Sequence, residues 1–119
     1  MVSTINFEID GGGVAITTGI KGDIIIDFPC TINHWTIVSD QTGSIVVDVW
    51  KDTYTNFPPT AADTITGTEK PTITSSNKGQ DTNLTTWTTA ISAGDILRYN
   101  VDSASTVTRV TLALKVTRT

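Results

Sequence analysis

The run Gly43–Asp52, GSIVVDVWKD, and the loop Thr53–Asp63 that follows it, TYTNFPPTAAD, decide how the rest of the chain is read. Ile45, Val47 and Val49 alternate with Ser44, Val46, Asp48 and Trp50, the period of two that marks a half-buried strand. Pro58 and Pro59 then withhold the backbone donors a central strand needs, and the chain leaves the sheet in a loop carrying Tyr54 and Phe57. A rigid strand therefore presents an aromatic loop.

Working outward, Ile32–Asp40 is a second strand, with Trp35 and Ile37 on one side and Ile32, His34, Thr36 and Val38 on the other. The polar stretch Asp40-Gln41-Thr42-Gly43 reads as a loop that returns the chain antiparallel into the first. Val14–Ile20 and Asp23–Phe28, split by Lys21-Gly22, predict a hairpin, and Pro29 closes it. From Thr60 to Trp87 turn residues dominate, and long loops are expected around one short strand near Ile73. Toward the C-terminus, Leu97, Tyr99 and Val101 share a face, as do Val110, Leu112, Leu114 and Val116. Ile5, Phe7 and Ile9 also alternate, but they run into Gly11-Gly12-Gly13. Residues 1–13 are accordingly read as a flexible leading segment or linker and 14–119 as the domain.

Threonine supplies about a fifth of the 119 residues, Val and Ile are abundant, and Leu, Met and Glu are scarce. β-branched side chains favour strands, so the composition is that of an all-β protein. About eight short strands without a helical period predict a two-sheet antiparallel β-sandwich of jelly-roll or Greek-key type. An immunoglobulin-like sandwich is the alternative, but the cysteine pair around a core tryptophan is missing.

Twelve acidic against eight dispersed basic residues, a net charge of -4, argue against nucleic acid or an anionic membrane as partner. Nothing is long and apolar enough for membrane insertion. No secretory signal opens the chain, and the single cysteine, Cys30, lies among Phe28, Pro29 and Ile32 as a buried small hydrophobe; both fit synthesis in a cytoplasm. His34 has no companion cysteine, histidine or nucleophile, and the aspartates lie at strand ends and turns without calcium-loop spacing. The absence of catalytic motifs predicts a protein that is not an enzyme and needs no metal or cofactor. Sugar binders stack apolar sugar faces on exposed aromatic rings and hold hydroxyls with carboxylates. Trp50, Asp52, Tyr54 and Phe57 bring both kinds of group together and are the candidate ligand contacts. The competing reading has Trp50 and Phe57 filling the end of the sandwich with Tyr54 capping it. Trp35 belongs to the core on its pattern, and Trp87 fits either role.

Several stretches together resemble the C-terminal β-sandwich domain found at the ends of bacteriophage tail fibres and related virion appendages. They are Ile16–Asp23, Trp35 with Asp40–Ser44, Val47–Asp52, Pro58–Thr60 and Ile91–Leu97. The resemblance implies display on the virion surface after synthesis in the host cytoplasm, contact with other virion proteins and attachment to a bacterial surface, where the chemistry of the aromatic loop makes a surface glycan the expected ligand. A purely structural fibre-tip or trimerisation domain without a ligand is the competing class. Apolar residues on both faces of the central strands, with Ile32 and Val38 opposite Trp35 and Ile37, and Val46 and Trp50 opposite Ile45, Val47 and Val49, ask for a second buried surface. A subunit interface is the simplest answer, and the resemblance makes it a homotrimer.

Overall fold

The computed structural model of the chain describes residues 1–119. It holds strands β1 (Val2–Asp10), β2 (Gly19–Ile26), β3 (Cys30–Asp52), β4 (Thr72–Asp81), β5 (Ala90–Ile91), β6 (Asp95–Ser105) and β7 (Arg109–Arg118), with a single 3-10 turn at Ala61–Asp63. The all-β expectation holds. All seven strands join in one antiparallel sheet of order β1-β7-β3-β6-β2, with β4 and β5 also paired to β3. The pairing shows one sheet that curls, not the expected division into two.

The curl comes from β3, whose first half (Cys30–Ser39) pairs with β7 and whose second half (Ser44–Asp52) pairs with β6. Asp40–Gly43, expected to turn the chain back, instead continues the strand through the bend where the partner changes. Its turn-forming side chains serve the distant β6–β7 connection. The Asp40 carboxylate accepts from the Thr108 and Arg109 amides at 3.2 and 3.0 Å and from the Thr108 hydroxyl. The Gln41 amide donates to the Thr106 carbonyl, and the Thr106 hydroxyl donates to the Thr42 carbonyl at 3.1 Å. A Cβ at Gly43 would fall against the Thr106 hydroxyl and the Ser105 carbonyl, so glycine is what lets the two segments approach.

The inner face of the curl is the core, built from Ile37, Ile45, Val47 and Val49 of β3 against Leu97, Val101, Leu112 and Leu114 of β6 and β7. Across it β1, one end of the sheet, meets β6, the neighbour of the other end. Phe7 of β1 stacks on Tyr99 of β6, ring centroids 4.2 Å apart and planes 5° from parallel.

Four further expectations need correction. Val2–Asp10 is no flexible leader: it pairs with β7 at nine positions and buries Ile5 and Ile9, so the alternation outweighs the glycines that follow it. Lys21-Gly22 is not a hairpin turn but an irregularity in the pairing of β2 with β6. The polar run Ser75–Asp81 is not a loop but most of β4, whose side chains are largely solvent-facing beside β3. The second apolar face is also largely accounted for within the chain. A register shift between Ile32 and His34 turns Ile32 into the core beside Trp35, and the segment Thr64–Thr66 covers Trp50; Val38 alone stays exposed.

Tyr99 is fully buried, and its hydroxyl has no hydrogen-bond partner in the protein. Burial raises its pKa, so the phenol stays neutral. An unpaired buried hydroxyl costs roughly 1–3 kcal/mol. Tyr99→Phe should keep the stack on Phe7 and raise the thermal midpoint by roughly 4 °C or more. A lower midpoint would show that the hydroxyl is hydrogen-bonded in solution.

Candidate functional site

The loop after β3 is pinned at both ends. Asp52 Oδ1 accepts from the Thr53 amide at 2.8 Å and the Thr53 hydroxyl from the Asn56 amide at 3.3 Å. Farther along, the Asp63 carboxylate accepts from the Thr60 amide at 2.8 Å, and the Asp63 amide donates to the Thr60 carbonyl at 2.8 Å. Between these anchors, with a cis peptide bond at Phe57-Pro58, the chain folds over the outer face of β2 and β6.

There Tyr54, Thr55 and Phe57 close one side of an open concavity of about 690 Å³ whose other lining residues are Asp23, Ile25 and Ile96. Ile25 and Asp52 flank Ile96 in register, which sets an apolar floor beside a carboxylate. Tyr54 is 84% exposed, Ile25 64% and Phe57 40%, so the apolar groups are open to solvent. Arg98 lies beneath Phe57, its guanidinium 5.0 Å from the ring centroid, and pairs with both Asp23 oxygens at 2.8 and 3.1 Å.

Of the four expected contacts, Tyr54 and Phe57 line the concavity, while Asp52 does not line it but lies opposite Ile96 in register. Trp50 does not belong to it. Trp50 is 8% exposed beside its bridge partner Thr64, and its indole N–H donates to Asp48 Oδ2 at 3.0 Å, so it offers no face to a ligand. Asp48 is itself buried and accepts at Oδ1 from the Val49 amide and the Thr64 and Thr66 hydroxyls at 2.9, 2.6 and 2.8 Å. The Lys70 ammonium lies 3.7 Å from Oδ2. Burial pushes the Asp48 pKa up, but the hydroxyls, the indole and the ammonium together outweigh it and hold the carboxyl below its usual range. Trp35 and Trp87 are buried as well, and both indole N–H groups donate to the Glu69 carbonyl, at 3.1 and 2.8 Å.

Asp23, Ile25, Thr55, Ile96 and Arg98 were not among the sequence candidates. One signal for them existed: the unbroken run Ile24-Ile25-Ile26 places isoleucine on both faces of β2, which marks a covered or ligand-facing outer side.

No protein-family model matches the chain, and no curated protein does. A solved structure described as "Structure of infectious bursal disease virus Gx strain" superposes with a TM-score of 0.36 and 13% identity. The match covers 97% of this chain and 31% of that one. The chain thus spans about a third of that neighbour, and the superposition is too loose to carry an argument about function.

Proposed function

We propose that the chain is a non-enzymatic domain of a phage virion, displayed on the particle surface, that attaches to bacteria by binding surface polysaccharide in the Tyr54–Phe57 concavity. The observation that carries the proposal is a tyrosine ring 84% exposed beside a partly exposed phenylalanine, over an isoleucine floor with carboxylates at its edge. Packing does not explain an aromatic ring left open in this way, whereas the apolar face of a sugar would cover it. The resemblance of the sequence to fibre-end domains supplies the setting, including a homotrimer in contact with other virion proteins. The curled sheet then serves as the scaffold that holds the loop outward.

A second reading, a structural virion part with no ligand, is favoured by the burial of Trp50, which leaves a smaller aromatic surface than the sequence promised.

Glycan-array and whole-cell binding separate the two. Tyr54→Ala should weaken glycan binding about tenfold, or about 1.4 kcal/mol, and leave the thermal midpoint nearly unchanged because an exposed ring contributes little to folding. If the intact protein binds no glycan and no cell, while virions lacking it fail to assemble, the structural reading replaces this one.

A further inference from the structure

We infer that the concavity selects uncharged sugars and rejects acidic ones, because the cation beside it is already neutralised and carboxylates line and flank it. This rests on the sugar-binding reading above and names the ligand class it would take.

No basic side chain lines the concavity, and Arg98 lies beneath Phe57, one of its lining residues. Both nitrogens that hold it in place donate to Asp23, one face of the guanidinium lies under Phe57, and the side chain is 16% exposed. A uronate or sialate carboxylate entering the site would meet a guanidinium whose charge Asp23 already balances. Arg98 and Asp23 cancel each other, so the charge left unpaired beside the floor is that of Asp52. Asp23 lines the concavity with a side chain 30% exposed, and Asp52 sits beside Ile96 with one of its oxygens engaged by the Thr53 amide. Carboxylates accept hydrogen bonds and cannot donate them, so they suit sugar hydroxyls and amide N–H groups and repel a second carboxylate. The ring of Tyr54 and the floor of Ile25 and Ile96 require only an apolar sugar face, which neutral hexoses and N-acetylhexosamines possess.

The test is an oligosaccharide array in which each uronate-bearing glycan is printed beside its carboxyl-reduced, neutral form. The intact domain should bind the neutral member of a pair roughly tenfold more tightly at low ionic strength, and added salt should narrow the difference as the rim charges are screened. Asp23→Asn keeps an oxygen acceptor for Arg98 while removing the negative charge. It should bring the two members to within about threefold of each other by strengthening the acidic one. Equal or tighter binding of the acidic member by the unaltered domain, abolished by Tyr54→Ala, overturns the selectivity while leaving the site in place. Binding that Tyr54→Ala does not alter, or no binding to any glycan, overturns the site and the selectivity together.

Discussion

Asp48→Ala should lower the folding stability by about 3–5 kcal/mol, a large part of what a domain of this size possesses. The carboxylate is the shared acceptor for the Val49 amide, the Thr64 and Thr66 hydroxyls and the Trp50 indole. Alanine would leave these donors without partners beneath the segment that covers them. The same substitution should loosen that segment from the outer face of β3, and with it the far anchor of the aromatic loop. Urea denaturation checks the size of the effect, and a loss below about 1 kcal/mol would mean that water readily replaces the carboxylate.

The carboxyl is also held below its ordinary pKa of 3.8 in the folded state. A depressed folded-state value means that the group stabilises fully above its unfolded value and that this contribution disappears as the pH falls through the folded one. Below about pH 4 the urea midpoint of the intact protein should therefore drop more steeply than that of Asp48→Asn, which has no charge to lose at this position. Parallel acid slopes in the two proteins would show that other carboxyls govern acid unfolding.

Removal of residues 1–10 should abolish cooperative folding. β1 carries Ile5 and Ile9 into the core and stacks Phe7 on Tyr99, and its loss would also strip the edge of β7 along nine paired positions. At roughly 1.5–3 kcal/mol for each large apolar side chain, those three residues alone contribute about 4.5–9 kcal/mol. That is comparable with the whole stability of a small domain. The shortened chain should show no sigmoidal melt and no dispersed amide spectrum. A sharp melt close to that of the full chain would restore residues 1–10 to the role of a linker.

The strand content was legible because burial acts on every second residue of a strand, and Val110, Leu112, Leu114 and Val116 obey that rule without interruption. The same rule marked Leu97, Tyr99 and Val101 as core, and the prolines after β3 correctly separated an exposed aromatic loop from the sheet. Local periodicity could not show where turn chemistry would be spent. Asp40–Gly43 has the composition of a loop, yet its side chains bind a connection more than sixty residues away, and the strand continues.

The aromatic residues divide on the same principle. Tyr54 and Trp50 lie four residues apart and both looked available. One is exposed and the other buried, because Thr64 and Thr66 return to hydrogen-bond Asp48 and cover the indole. The candidate site depends on such returns too, since Ile96 and Arg98 reach Phe57 through the pairing of β6 with β3, and Asp23 and Ile25 through that of β2 with β6. The sequence by itself determined that the chain is built of strands and which faces of β6 and β7 are apolar, because these follow from alternation between neighbours along the chain. Tertiary structure alone decided the curl, the covering of Trp50 and the makeup of the concavity, because each requires hydrogen bonds or packing between segments that no local pattern relates.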